Sequence, residues 1–259
     1  MIPEPPSPAA PEAGEIAVAP PVPPTPWRPW ATVGLLLLII VAMLGVQMVV
    51  AVAWMIAEIV RDPSTRVEEL ATDLQEDGDL LAVLTIVGGV AALGVVALLV
   101  RSRGATLREY LALGPVRPKS AFLWILVTLA FLVSYDLVST ALDRPVVPDF
   151  MVRAYESAGF LPLLWVAVAL VAPVWEEMVF RGFGFRGLRP SRFGLAVAIG
   201  IPTLFWACLH LQYDAFDMAY VFCLGVLFGF AREHTGSVTM PILLHILTNA
   251  LATLQVALG

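Results

Sequence analysis

The sequence contains almost no lysine and little charge of either sign. Lys119 is the only lysine among 259 residues, and charged residues make up 14% of the chain, whereas 59% are hydrophobic. So small a charged fraction, together with a mean hydropathy of +0.85, excludes an ordinary soluble globular domain. The composition indicates an all-α polytopic membrane protein.

Cysteine and histidine are scarce as well. The two cysteines, Cys208 and Cys223, both fall in apolar runs. We therefore expect small core residues there rather than a disulfide or a metal-binding pair. There is no cysteine-rich pattern, and no polar stretch is long enough to form a soluble domain of useful size.

Proline is distributed unevenly along the chain. Eleven of the 21 prolines precede residue 31, in a segment rich in proline, alanine and glutamate. Such a composition cannot bury a core and favours extended chain. The segment also lacks the basic start of a signal peptide. We predict that residues 1–30 form a disordered cytoplasmic tail.

Apolar runs beyond this tail predict about seven transmembrane helices. The predicted spans are 31–60, 80–100, 121–142, 160–187, 193–211 with a break at Pro202, 216–231 and 240–258. They divide the chain into three N-terminal transmembrane helices over 31–150, ending in a polar loop, and a helical core over 160–258. Glycine pairs at 88/89 and 225/229 suit close helix packing.

The basic residues predict the orientation. If the N-terminus is cytoplasmic, 11 of the 15 basic residues fall on the inner side. The outer four are Arg61, Arg66, Arg144 and Arg153. An excess of arginine and lysine marks cytoplasmic segments. We therefore expect a cytoplasmic N-terminus and an external C-terminus.

Two adjacent glutamates follow a long apolar run in the fourth predicted span. An ionisable group at the centre of a membrane helix costs about 2.5–3.5 kcal/mol on insertion scales, so Glu176 and Glu177 are functional candidates. Successive helical residues lie ~100° apart, whereas Glu177 and Arg181 share a face at i,i+4. We interpret Glu177–Arg181 as an orienting ion pair that leaves Glu176 for chemistry. A frayed helix end with snorkelling charges is the alternative.

Two of the three histidines lie in apolar helices, and each has a companion one turn away. Trp206 precedes His210 by four residues, and Asn249 follows His245 by four. A lone histidine on an apolar face is usually a core residue. Buried polar groups in lipid must find partners, so we expect these side chains and Glu176 to converge on one cavity. Carboxylates and imidazoles together can activate water.

The three motifs resemble those of the CPBP family of intramembrane proteases, which includes the CAAX prenyl endopeptidases and the bacterial Abi-type proteins. The matching residues are Glu176-Glu177-x-x-x-Arg181, Trp206-x-x-x-His210 and His245-x-x-x-Asn249. Trp206 stands where the family usually has phenylalanine. The similarity extends over about 160–256.

The resemblance implies an endopeptidase. Glu176 and His210 would activate water, and His245 and Asn249 would donate hydrogen bonds to the oxyanion. Trp206 and Phe180 are expected to line the substrate cavity. We favour a mechanism without a cofactor, because the zinc signature HExxH is absent. Zinc held by His210, His245 and Glu176 is the alternative.

Other functions remain open on the sequence alone. A non-catalytic membrane immunity or binding protein could keep the same fold, and a proton-coupled transporter could use Asp136 with the glutamates. The expected partners are membrane lipid and a peptide or protein substrate entering from the bilayer, with no nucleic acid. CAAX-like tails, other C-terminal tails and leader peptides are all compatible substrates. The arginine-rich composition suggests a bacterial inner-membrane protein from a GC-rich genome.

Overall fold

A computed structural model describes residues 27–259 except Thr65, Glu68, Glu69, Ala71, Thr72, Asp73 and Gln75. Most of the predicted disordered tail, residues 1–26, lies outside the described residues. Within the described part the secondary structure is helical throughout, with no strand. The prediction of an all-α membrane fold is confirmed.

Nine helices have bounds within the described residues, with the fourth predicted span counted as one helix. They are α1 (Pro29–Arg61), α2 (Gly78–Ser102), α3 (Leu107–Tyr110), α4 (Pro118–Ala141), α5 (Asp149–Ser157), α6 (Leu161–Leu188), α7 (Gly194–Cys208), α8 (Ala215–Thr235) and α9 (Thr239–Leu258). Six of them, α1, α2, α4, α6, α8 and α9, are long and apolar enough to cross a membrane.

The fifth predicted span is shorter than the sequence indicates. α7 has 15 residues and ends at Cys208, so it is about 22 Å long at ~1.5 Å per residue. The hydrocarbon core of a bilayer is about 30 Å thick. Pro202 does not break the helix, which runs through it. The chain leaves α7 before a full crossing, and His210 lies in the turn that follows.

Two segments predicted as connections contain helices. The connection after the third predicted span carries α5, and the connection between the second and third predicted spans carries α3. Tyr110 and Leu111 in and after α3 are completely buried. Arg186 of α6 donates to the carbonyls of Glu109 at 2.7 Å and Tyr110 at 2.8 Å. The α3 segment is therefore a packed part of the protein rather than a strip at the membrane surface.

α6 is the central helix of the fold. Over its most apolar 18 residues 56% are buried, against 6% for α4, whose apolar face is left for lipid. Phe180 and Phe183 of α6 are fully enclosed in the main apolar cluster, which also takes residues from α1, α2, α8 and α9. Glu177 and Arg181 of α6 thus lie where the surrounding helices exclude both water and lipid.

The glycines mark the closest helix contacts. A Cβ on Gly89 would lie 2.5 Å from the ring of Trp175, which brings α2 against α6. A Cβ on Gly229 would lie 2.7 Å from Ile199, which brings α8 against α7. Three further glycines, Gly182, Gly184 and Gly187, lie near the end of α6. α6 continues to Leu188, and these glycines pack against α1, α7 and Leu111.

The cysteines differ from their prediction. Cys208 and Cys223 form no disulfide, as expected, but both are exposed on the outer faces of their helices rather than buried in the core. Thiols are apolar enough to face lipid tails, so the apolar runs that contain them do not require burial.

We predict that Gly225→Ala destabilises the protein. The added methyl would lie 2.7 Å from both Arg181 and Thr203 and 3.0 Å from Trp206. Overpacking of this kind costs about 1–3 kcal/mol, which outweighs the ~1 kcal/mol that alanine gains over glycine in a helix. Thermal unfolding in detergent should therefore show a midpoint lower by several degrees.

Gly200→Ala in α7 is the matched control, because a Cβ there meets nothing within 4 Å. It should leave the midpoint unchanged or raise it slightly. Equal midpoints for the two variants would contradict the close packing of α8 against α7.

Candidate active site

α6 places the two glutamates in the interior. Glu176 is 8% exposed, Glu177 is 0% exposed and Arg181 is 1% exposed. The segments Val166–Val171 and Met178–Gly184, on either side of this pair, are π-helical. Widened turns of this kind are frequent at functional sites.

Glu177 and Arg181 form the ion pair that their spacing predicts. Arg181 Nη1 donates to Glu177 Oε1 at 3.0 Å, and Nη2 donates to the carbonyl of Gly225 on α8 at 3.0 Å. His245 Nδ1 on α9 lies 2.9 Å from the same Glu177 oxygen. The Glu177–Arg181 pair therefore joins three helices, a role that the i,i+4 spacing alone does not reveal.

Glu176 faces the other way and meets Trp206. The indole Nε1–H of Trp206 donates to Glu176 Oε2, and His245 Nε2 lies 3.9 Å from that same oxygen. No described residue donates to Glu176 Oε1. Trp206 is thus a hydrogen-bond donor to the candidate base as well as a residue of the cavity wall.

His210 lies in the turn between α7 and α8, outside the spanning helices. Its Nδ1 lies 2.9 Å from the carbonyl oxygen of Trp206. Because a carbonyl only accepts, Nδ1 carries the proton and Nε2 is left for other partners. Burial lowers the pKa of His210, although the charge of Glu176 opposes this. Burial also raises the pKa of neighbouring Tyr213 to about 12.

Asn249 is positioned by a missing backbone hydrogen bond in α6. The N–H of Ala172 bonds to the carbonyl of Ala167, and Pro173 has no N–H to offer. The carbonyl of Val168 is therefore left without either donor, and Asn249 Nδ2 donates to it at 2.9 Å. A side chain from a neighbouring helix commonly satisfies a carbonyl freed by proline in a membrane helix.

A cavity of about 410 Å³ lies against these groups. Glu176, Trp206, His210, His245 and Asn249 all line it, and most of the remaining wall is aliphatic or aromatic. Glu177 and Arg181 lie behind the wall. Phe180 is not among the lining residues and is fully buried in the apolar cluster, although the sequence analysis expected it at the cavity.

The cavity wall also includes polar residues outside the three motifs. Tyr135 of α4 donates to Asp217 of α8 at 2.7 Å, and Asp136 accepts from Gln255 of α9 at 3.1 Å. α5 contributes Phe150 and other side chains to the wall. Tyr135 and Asp136 stand out as polar residues within a span, but nothing in the sequence identifies their partners.

The candidate zinc ligands are engaged with other groups. Glu176 Oε2 accepts from Trp206, His245 Nδ1 bonds to Glu177, and His210 Nδ1 bonds to a carbonyl. Across the part of the chain that the structure describes, no three His, Cys, Asp or Glu side chains are arranged to hold a metal ion. These contacts do not use the Nε2 atoms of the two histidines, and zinc-bound histidines make the same kind of Nδ1 contact.

Comparison with known proteins finds a family match in the C-terminal part of the chain. Residues 158–251 match the type II CAAX prenyl endopeptidase Rce1-like family. An Escherichia coli protein described as an uncharacterized 24.3 kDa protein is 29% identical over 137 residues, which cover 51% of this chain and 62% of that protein. The chain thus spans about three-fifths of the relative's length. No solved structure matches.

The matched residues contain the whole site, from Glu176 on α6 to Asn249 on α9. The fold around them consists of membrane-spanning helices. Residues 158–251 are therefore similar to the Rce1-like family of type II CAAX prenyl endopeptidases.

Proposed function

We propose that this protein is an intramembrane endopeptidase that hydrolyses peptide bonds in membrane-associated or lipid-modified proteins. One observation carries the proposal: the carboxylate of Glu176 and the imidazoles of His210 and His245 meet at the wall of one largely apolar cavity. A buried carboxylate beside two imidazoles is suited to activate water where bulk water is excluded.

Glu176 acts as the general base. It takes a proton from a water molecule, and the oxygen of that water attacks the carbonyl carbon of the scissile peptide bond. The C=O bond opens to an oxyanion as the new C–O bond forms. The proton passes to the leaving nitrogen, the C–N bond breaks, and an acid and an amine are released.

His210 assists at the water. Its Nδ1–H is engaged by the carbonyl of Trp206, so Nε2 can accept a hydrogen bond from the attacking water. The lowered pKa of His210 keeps the ring neutral near pH 7, and the neutral ring is the accepting form.

His245 and Asn249 stabilise the oxyanion. The ring of His245 is oriented through its Nδ1 contact with Glu177, and its Nε2, when protonated, donates to the developing negative charge. Asn249 uses one amide hydrogen for the carbonyl of Val168 and has a second for the substrate. Donors fixed before the reaction need no reorganisation as charge develops.

The cavity wall suits an apolar substrate segment. α2, α4, α5 and α9 contribute mainly aliphatic and aromatic lining residues. CAAX-like tails, other C-terminal tails and leader peptides are the substrate classes consistent with such a wall, and the bacterial cell membrane is the proposed location.

The proposal predicts that Glu176→Gln removes proteolysis without unfolding the protein. The glutamine keeps the shape of the side chain but cannot take a proton. Proteomics of protein termini measures the effect in membrane and secreted fractions. Cells with the wild-type chain should contain a set of termini that cells with Glu176→Gln lack.

Glu233→Gln is the matched control. Glu233 pairs with Arg189 at 2.7 Å, is partly exposed and is not among the lining residues. Cells with Glu233→Gln should keep the wild-type termini. Identical termini in the wild-type and Glu176→Gln cells would rule out the proposed activity and favour a non-catalytic binding or immunity protein.

Glu177→Gln should lower stability more than Glu176→Gln does. It leaves Arg181 buried without its carboxylate, and loss of one partner from a buried ion pair costs about 3–5 kcal/mol. Thermal unfolding in detergent measures the difference. Small and equal effects of the two substitutions would contradict the division of roles between the glutamates.

His245→Ala separates the metal-free mechanism from a zinc mechanism. Loss of a single oxyanion donor lowers kcat by about 10²–10³, and KM should change little because the bond forms in the transition state. Metal analysis of the purified wild type should find no stoichiometric zinc. About one zinc per wild-type chain that is lost in His245→Ala would replace the proposed mechanism with zinc catalysis.

A further inference from the structure

Trp206 contacts three residues of the proposed reaction: Glu176, His210 and His245. Its indole Nε1–H donates to Glu176 Oε2, and its backbone carbonyl accepts from His210 Nδ1. Its ring lies edge-on to His210 at 5.2 Å and to His245 at 5.3 Å, between centroids. The guanidinium of Arg181 lies over the ring face, 4.6 Å from the centroid.

The indole nitrogen can only donate a hydrogen bond. The Glu176 oxygen that it meets must therefore present a lone pair, as both oxygens of an ionised carboxylate do. Occupation of Oε2 by the indole leaves Oε1, to which no described residue donates. A phenylalanine ring at the same place would fill the space but make no such distinction between the two oxygens.

The ring itself has little freedom to move. Trp206 is 2% exposed. A Cβ on Gly225 would lie 3.0 Å from its Cε3 atom, and the ring of Phe228 packs on it with centroids 6.2 Å apart. A donor held this firmly fixes the carboxylate in one rotamer, and a rigidly oriented base reacts faster than one that must be ordered for each turnover.

We propose that Trp206 is a positioning residue for the hydrolysis proposed above: its indole N–H holds Glu176 Oε2, so that Oε1 takes the proton from water. The inference rests on Glu176 being the base. The proposed function of Trp206 depends on the hydrogen bond from its indole N–H rather than on the packing of its ring.

Trp175 provides a matched control in the neighbouring position. It is 6% exposed and carries the same indole group. Its Nε1 has no hydrogen-bond partner among the described residues, and its ring packs against Gly89 of α2 instead. Changes to the N–H of Trp175 should leave the reaction unaffected.

The hydrogen bond is tested first, without a substrate. Protein labelled with ¹⁵N-indole tryptophan in detergent should give resonances for its seven tryptophans, with those of Trp206 and Trp175 assigned by Trp206→Phe and Trp175→Phe. Glu176→Gln removes the charge from the acceptor, and hydrogen bonds to ionised groups are roughly twice as strong as neutral ones. The Trp206 proton should therefore shift upfield by more than the Trp175 proton does. No shift at Trp206 would overturn the proposal.

The effect on turnover is tested with an isostere. Trp206 is replaced by 3-benzothienylalanine, in which sulfur takes the place of the N–H while the ring keeps its size. The substrate is a synthetic peptide spanning a terminus that disappears in Glu176→Gln cells. We expect kcat to fall about 10- to 100-fold, as for loss of a hydrogen bond to a charged group, with KM within about twofold. The same replacement at Trp175 should leave kcat unchanged.

The outcomes separate the two proposals. If the isostere at Trp206 keeps the wild-type kcat while Glu176→Gln is inactive, the tryptophan acts only through packing and the inference fails. If Glu176→Gln cells lose no termini, the proposed function fails, and the indole resonance still decides whether the hydrogen bond exists. Trp206→Phe should reproduce the isostere's loss of kcat. If Trp206→Phe unfolds, the isostere alone decides.

Discussion

The site depends on the buried carboxylate of Glu177. It accepts from Arg181 of its own helix at 3.0 Å and is 2.9 Å from His245 of α9, and Arg181 extends the connection to the carbonyl of Gly225 on α8. An ionised group in the interior is tolerated only when it is paired and hydrogen-bonded. Since separation of these partners would leave charges buried and unpaired, the contacts of Glu177 Oε1 and Arg181 hold α6, α8 and α9 together.

The irregular course of α6 is the second determinant of the site. π-helical turns lie before and after the glutamates. Pro173 follows the first of these turns and has no N–H to donate to its carbonyls. A carbonyl deprived of its donor is costly in a membrane interior, and Asn249 meets that need for Val168. This hydrogen bond also fixes the Asn249 side chain at the cavity. One contact therefore pairs the Val168 carbonyl and positions the amide proposed to act on the substrate.

Much of the fold could be predicted from the sequence because membrane helices are constrained by length and polarity. Apolar runs indicate the spans, and an i,i+4 spacing indicates Glu177–Arg181. The bond from Trp206 to Glu176 could not be predicted in this way, since it depends on how α7 crosses α6. Phe180 was misplaced for a related reason: π-helical turns change which residues share a face, and a 3.6-residue period does not reveal them.

Shorter elements were harder to predict. α5 has nine residues between prolines and glycines, and its polar composition resembles that of a loop. The early end of α7 is not visible either, because the apolar run continues to Leu211 while the helix stops at Cys208. An apolar run indicates that a segment avoids water, but it does not show whether the segment is a helix or a turn. The turn after Cys208 is as apolar as the end of a helix.

The short α7 has a consequence for hydration. The turn after Cys208 has carbonyl and N–H groups that are not all used within a helix, and such backbone is stable at membrane depth only where it is buried in protein or faces water. His210 and Tyr213 in this turn line the cavity. The turn therefore gives the cavity a polar edge beside its aliphatic and aromatic wall, and an all-helical crossing at this place would not provide one. For the hydrolysis proposed above, this edge is the place where water would reach Glu176 without crossing the apolar wall.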